Sequence, residues 1–174
     1  MARQPHRRRL ALVVALTLAV AAAFGTTASA DSDQAAMTAT LSGAEEVPAN
    51  DSLARGMAIF KLSEDGTSLS YSLSVANLDN ITQAHIHLAP AGVNGAVVAW
   101  LYPSAPPAQP IPGRTSGILM TGTITEANLV GPLAGASFDD LLDAIRAGNT
   151  YVNVHTNPGF PGGEIRGQIT THGS

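Results

Sequence analysis

The sequence predicts an all-β protein, a Greek-key or immunoglobulin-like β-sandwich with one short helix. Several short segments have the composition or the alternation of β-strands, and turn residues separate them. The chain of 174 residues is 45% hydrophobic and 13% charged, with 17 Gly and 11 Pro, and this composition favours strands and turns over helical bundles. So high a hydrophobic content also excludes an intrinsically disordered chain.

The first 30 residues have the pattern of a secretory signal peptide. Residues 1–9 are basic, residues 10–24 form an apolar run interrupted only by Thr17, and small residues follow up to Ala30. A helix over that run rises about 22 Å, short of the ~30 Å hydrocarbon core, so we expect cleavage after Ala30 rather than a membrane anchor. The mature protein is expected to be secreted or extracytoplasmic, without a membrane span. Because of the pair Arg8-Arg9, the sequence leaves open whether export uses the general or the twin-arginine route. It also leaves open whether the exported protein is retained in the envelope or released.

The remaining chain divides into a short linker at residues 31–36, one domain at residues 37–170 and a tail at residues 171–174. This part retains five of the nine basic residues but all 13 acidic ones. Nucleic acid is therefore not an expected partner, because phosphate binding requires clustered Lys and Arg. The absence of cysteine excludes disulfides, thiolate catalysis and iron–sulfur clusters.

The first half of the domain contains the clearest strand patterns. Met37–Leu41 and Arg55–Leu62 alternate, and Leu69–Val75 places Leu and aromatic residues on one face and serines on the other. Glu64-Asp65-Gly66 supplies a turn between the second and third of these segments. We therefore expect those two strands to form a hairpin.

Five further strands are expected downstream, together with two of the loops that connect them. Ile81–Leu88 and Ala96–Tyr102 flank a loop in which Asn94-Gly95 is a tight-turn pair, since both residue types tolerate positive φ. Ser104–Ser116 contains four prolines and is expected to be an exposed loop. The last three strands are predicted at Gly117–Thr125, Tyr151–Thr156 and Glu164–Thr170.

One segment has helical periodicity instead. Phe138, Leu141, Leu142 and Ile145 recur at the spacing of one helix face. Ser137 is a suitable N-cap, acidic residues follow it in the first turn, and Gly148 is a suitable terminator. The segment predicts a short amphipathic helix that packs on the core.

Three histidines are the main chemical candidates. His85 and His87 are separated by one residue, so on a strand both imidazoles point to the same face, and His155 ends another predicted strand. Three imidazoles from two strands provide a ligand set for Cu²⁺ or Zn²⁺ with an open coordination position. Further ligands, or residues that orient the imidazoles, are conceivable at Glu164, Asn153 and Asn94. The alternative is that the histidines are ordinary hydrogen-bonded strand residues.

No catalytic constellation is complete in the sequence. There is no Gly-x-Ser-x-Gly elbow, and no pair of acids stands out for glycoside hydrolysis. The Gly-rich run Pro158–Gly163 is interpreted as a turn between two strands. Arg166 is expected to share a strand face with Glu164 and to have a structural role, an ion pair being one option. Trp100 alternates with apolar neighbours and is expected in the core.

These motifs together resemble the CHRD domain family, named after the developmental protein chordin. The resemblance covers Met37 to Thr170, almost the whole predicted mature chain. It rests on five ordered blocks: Leu41–Pro48, Ala54–Gly56, Ala84–Gly95, Ala147–Thr156 and Pro161–Gln168. The resemblance implies an all-β, immunoglobulin-like or related Greek-key sandwich, but it implies no activity. Chordin itself binds growth factors, and the Cys-rich modules that accompany its CHRD domains have no counterpart here.

A fainter resemblance is to Cu/Zn superoxide dismutase, a Greek-key protein with His-x-His on a strand. Its two-metal site uses six histidines and an aspartate, whereas the predicted mature chain has four histidines. The structural disulfide of that enzyme is missing as well. At most, a copper-only variant with an incomplete ligand set is compatible with the sequence.

Two functions follow from these observations. The first, which we favour, is a secreted, non-enzymatic binding or structural module with a protein or glycan partner. The alternative is a small extracytoplasmic metalloprotein that binds Cu or Zn through His85, His87 and His155, with superoxide-dismutase-like redox activity as one option. The sequence leaves open whether the chain is an enzyme, which ligand it binds and its oligomeric state.

Overall fold

The computed structural model describes residue 1 and residues 36–172. Residues 2–30 of the predicted signal peptide, residues 31–35 of the predicted linker and residues 173–174 of the predicted tail lie outside the described residues. The chain divides into two units, residues 1–32 and residues 33–174, and every helix and strand described below lies in the second unit. Within the described residues, no helix is long and apolar enough to cross a membrane.

Eight strands and one α-helix make up the described unit. The strands are β1 (Met37–Ser42), β2 (Arg55–Leu62), β3 (Ser68–Leu88), β4 (Ala96–Tyr102), β5 (Ile111–Thr125), β6 (Thr150–Thr156), β7 (Ile165–Gln168) and β8 (Thr170–Thr171). The helix α1 (Phe138–Arg146) lies between β5 and β6. Three short 3₁₀ turns occupy Gly43–Glu45, Glu126–Asn128 and Gly131–Leu133.

The strands form a ladder that closes on itself. Five strands follow one another in the order β2-β1-β7-β6-β3, and an additional antiparallel pairing of β2 with β3 closes the ring. Strands β4 and β5 pair with β3 outside this ring, and β8 pairs with β1. The all-β class with one helix is therefore confirmed. The ladder is a closed five-strand barrel with added strands, and it does not clearly have the topology of a Greek-key sandwich. That finer expectation therefore stays a prediction.

The ring closes through β3, which is 21 residues long. The sequence predicted two strands here, Leu69–Val75 and Ile81–Leu88, but both belong to one strand. Register shifts between Val75 and Leu78 and between Asp79 and Ile81 mark the join, where Asn77 and Asn80 have positive φ. Asparagine tolerates this backbone region better than most residues. The first part of β3 therefore pairs with β2 and the second part with β6.

The proline-rich segment differs from its prediction. Ser104–Ser116 was expected to be an exposed loop, but β5 begins at Ile111 and residues 111–115 already pair with β3. Among the described strands β5 pairs with β3 alone, and an edge strand accommodates Pro112 because one side of its backbone needs no ladder hydrogen bond. The sequence pattern missed this part because exposed edge residues do not alternate.

The first hairpin and the helix agree with their predictions. Leu62 pairs with Leu69 across the turn that contains Gly66, whose φ is +72°. In α1, the Ser137 hydroxyl accepts a hydrogen bond from the Asp140 amide, and the Asp140 carboxylate accepts one from the Ser137 amide. All four residues of the predicted apolar face are buried. The helix thus covers one side of the core that the strands enclose.

Candidate metal centre

The His-x-His pair lies on the second part of β3, where the strand pairs with β6. His85 is opposite Asn153, His87 is opposite Tyr151, and Gln83 is opposite His155 in this antiparallel register. Alternation along β3 puts the two rings on one face, as the sequence predicted, and their centroids are 5.6 Å apart. The structure brings His155 to the same place, with its ring centroid 5.1 Å from that of His85 and 6.3 Å from that of His87.

The three imidazoles are close enough to share one ion. Each offers a ring nitrogen, and the three nitrogens lie within 4.8 Å of one another. In tetrahedral or trigonal geometry, bonds of 2.0–2.1 Å to a metal hold two ligand nitrogens about 3.3–3.6 Å apart. The widest pair must therefore close by about 1.2–1.5 Å on binding. No carboxylate joins this group among the described residues.

Backbone carbonyls fix the tautomers of two of the rings. His87 Nδ1 donates to the Gly95 carbonyl at 2.9 Å, and His155 Nδ1 donates to the Pro161 carbonyl at 3.0 Å. A carbonyl can only accept, so the lone pair of each of these two rings lies on Nε2. His85 Nδ1 lies 3.2 Å from His155 Nε2 and donates to it. The Nε2 atoms of His85 and His87 are buried without any partner.

Burial keeps these rings neutral. His85, His87 and His155 are only 3%, 8% and 7% exposed. Desolvation lowers the pKa of His85 to about 3, with further lowering by the neighbouring His155 and His87. Desolvation also lowers the pKa of His155 to about 4, against the opposing effect of its bond to Pro161, and lowers the pKa of His87. Neutral imidazole is the form that binds a metal, so the site is prepared for one.

Aromatic side chains surround the rings. Trp100, opposite His85 on β4, packs edge-on against it with centroids 4.4 Å apart. The prediction of a core Trp100 is only half met, since the residue is partly exposed. Tyr151 stacks on His87 at 4.8 Å, and its hydroxyl accepts a hydrogen bond from the Gly95 amide. These contacts hold the imidazoles in place and limit the space for water.

Next to the rings lies a buried ion pair that the sequence did not predict. Arg166 lies over the ring of Tyr151, 4.0 Å from its centroid, and bonds to the Glu46 carboxylate at 3.0 Å. Burial raises the pKa of Glu46, and the Arg166 charge opposes that effect. The expected option of an ion pair with Glu164 is wrong. The Glu164 carboxylate instead accepts hydrogen bonds from Ser52 and Thr156.

The three suggested additional ligands occupy different places. Asn153 is 1% exposed and its Oδ1 has no partner, so it is a buried polar atom beside the histidines. Asn94 bonds to Arg166 at 2.5 Å and to the Val47 carbonyl at 2.9 Å. The turn predicted at Asn94-Gly95 lies instead at Ala91-Gly92, where Gly92 has φ of +78°. Glu164 and Asn94 are therefore parts of the support around the rings.

Three loops meet at this end of the barrel. The loop after β1 supplies Glu46, the loop between β3 and β4 supplies Asn94 and the Gly95 carbonyl, and the loop between β6 and β7 supplies the Pro161 carbonyl. Sequence reasoning did not connect Glu46 and Tyr151 with the histidines. The available indication was that both lie in the ordered blocks of the family resemblance, together with all three histidines.

The comparison with protein families agrees with the resemblance. The family described as the CHRD domain matches residues 37–169, which is most of the chain. The chain therefore belongs to the CHRD domain family. No curated protein and no solved structure matches it.

Proposed function

We propose that this CHRD domain binds one transition metal ion, copper or zinc, through His85, His87 and His155. The observation that carries the proposal is the convergence of three buried imidazoles from two strands, with their ring nitrogens within 4.8 Å of one another. Buried polar atoms nearly always have a partner, and here two Nε2 lone pairs have none. A metal ion would use those lone pairs.

The surroundings of the rings support this assignment. Histidines that ligate a metal usually donate their other ring nitrogen to a carbonyl or carboxylate, which fixes the ring orientation. His87 and His155 do so through Gly95 and Pro161. Histidines with a purely structural role would not need to lie next to one another. Each could be satisfied by hydrogen bonds to the backbone at a different place in the fold.

The proposed role is that of a metal-binding module rather than an enzyme. A catalytic metal keeps a coordination position open to substrate, whereas these rings are at most 8% exposed. The described residues also contain no second group of ligands for a two-metal site of the superoxide dismutase type. The proposal thus combines the favoured module with the metal ligands of the alternative.

We place the module outside the cytoplasm. The N-terminal pattern of basic, apolar and small residues supports export. The expected protein or glycan partner stays a prediction.

The test is metal analysis of the purified protein after incubation with Cu²⁺ or Zn²⁺ and desalting. We expect about one equivalent of metal per chain. The His85→Ala/His87→Ala double variant should retain less than about a tenth of that amount, because only one ligand remains.

The matched control is His172→Ala. His172 is exposed and its ring bonds to Thr38 at the edge of the barrel, so its loss should leave the metal content unchanged. Circular dichroism of all variants shows whether they fold. A folded double variant that retains a full equivalent of metal, or a parent protein that retains none, would disprove the proposed function.

A further inference from the structure

The donor set of the proposed site carries no negative charge. All three ligands are imidazoles, and no carboxylate joins them in the described part of the chain. A bound Cu⁺ would leave a net charge of +1 on the centre, whereas Zn²⁺ or Cu²⁺ would leave +2. The cost of burying charge rises with its square, so the divalent centre is roughly four times as costly to bury.

The neighbouring charges do not offset a divalent ion. Glu46 and Glu164 are the buried acidic side chains of the described residues. One oxygen of Glu46 pairs with the Arg166 guanidinium, and its other oxygen, buried without a partner, does not belong to the group of three ring nitrogens. Both oxygens of Glu164 accept hydroxyl hydrogen bonds. The Arg166 cation lies against Tyr151, the same ring on which His87 stacks. The site thus has a cation close by whose charge is balanced by Glu46 alone.

The number of donors points the same way. Zn²⁺ in proteins takes four ligands and Cu²⁺ prefers a tetragonal set, so either ion would require water to complete its shell. The rings are nearly inaccessible, and Trp100 packs edge-on against His85. Cu⁺ is satisfied by two nitrogen ligands in linear geometry or by three in trigonal geometry.

We propose that the three-histidine site selects Cu⁺ over Cu²⁺ and Zn²⁺, because three neutral, buried donors without a nearby free anion suit a singly charged ion of low coordination number. The inference rests on the proposed function, since it identifies the ion held by the same residues. It makes the domain a carrier or store of reduced copper.

The test compares affinities for the three ions on the purified protein. Binding of Cu⁺ is measured by competition with bicinchoninate under anaerobic conditions with ascorbate, and binding of Cu²⁺ and Zn²⁺ by competition with chromophoric chelators. We expect the dissociation constant for Cu⁺ to be at least about 100-fold lower than that for either divalent ion, because burial of the centre disfavours the higher charge. The bound copper should give no Cu²⁺ electron paramagnetic resonance signal.

Two controls separate the possible failures. His172→Ala should bind Cu⁺ as the parent does, and His155→Ala should lose at least about 10-fold in Cu⁺ affinity while remaining folded. Equal or tighter binding of Zn²⁺ or Cu²⁺ at the histidines would overturn the selection of Cu⁺ but leave the proposed function intact. Failure to bind any of the three ions would overturn both.

Discussion

At the scale of single residues, the histidines depend on backbone groups more than on charged neighbours. Two of the three rings donate to carbonyls, and those bonds point the Nε2 lone pairs away from the loops. The charged residues of the region, Arg166 and Glu46, are engaged with each other instead. The three imidazoles are therefore positioned by loops, and the loops are in turn held by a buried ion pair.

Removing one partner of that pair should be costly. Glu46→Gln leaves the Arg166 charge buried, with its side chain only 5% exposed, and without its counterion. We expect the free energy of unfolding to fall by about 3–5 kcal/mol, as for other broken buried ion pairs. Urea denaturation followed by fluorescence of the single Trp measures the change.

The adjacent Glu45→Gln is the matched control, because Glu45 is exposed and should change stability by less than about 0.5 kcal/mol. If the two variants were equally stable, the ion pair would not hold the loops as we describe.

At the scale of elements, the loop between β6 and β7 has a position that only glycine fills well. Gly163 has φ of +131°, and a Cβ there would lie 2.6 Å from Glu46 Oε1 and 3.0 Å from Asn153 Nδ2. Both contacts involve buried side chains near the histidines. The loop can therefore approach the ion pair closely only without a side chain at this residue.

Gly163→Ala is accordingly expected to destabilise the protein by about 1–3 kcal/mol, through backbone strain and the clash with Glu46. Thermal unfolding of the metal-free protein measures this. The neighbouring Gly162→Ala is the control, since its Cβ would meet nothing within 4 Å and its φ is not in the positive region. Similar melting temperatures for the two variants would contradict the close approach at Gly163.

Elements also show how far the sequence could be interpreted. The hairpin at Gly66 and the helix capped by Ser137 follow from local patterns, because turn residues and periodic apolar residues act within a few positions. The division of β3 into two strands was wrong because its irregular centre resembles a loop in sequence. The start of β5 was missed because an edge strand with prolines has no alternation.

At the scale of the whole molecule, buried histidines make stability depend on pH. Their folded pKa values, about 3 for His85 and about 4 for His155, lie below the ordinary value of 6.5 that applies when the chain unfolds. The unfolded chain therefore binds more protons as pH falls through 6.5. The stabilisation is complete above pH 6.5 and declines towards pH 4. Glu46, whose pKa is raised, acts in the opposite direction, but it is one group against three.

We expect the metal-free protein to lose stability between pH 7.5 and 5.5, by up to about 1.4 kcal/mol per pH unit for each proton taken up on unfolding. Urea denaturation at several pH values measures the slope. His155→Gln should have a shallower slope than the parent, and His172→Ala the same slope. A parent protein equally stable at both ends of this range would show that the folded histidines are not held neutral.

The sequence by itself determined the β class, the helix, the first hairpin and the three histidines as candidate ligands. Each of these depends on residues that are neighbours along the chain, or on a residue type with distinctive chemistry. The tertiary structure alone decided that His155 lies beside His85, that Arg166 pairs with Glu46 rather than Glu164, and that the second part of β3 pairs with β6 and so completes the barrel. These contacts join residues 70 or more positions apart, or they depend on the pairing of strands that are distant in the sequence. The register between such strands is set by the packing of the whole barrel, so no local pattern can predict it.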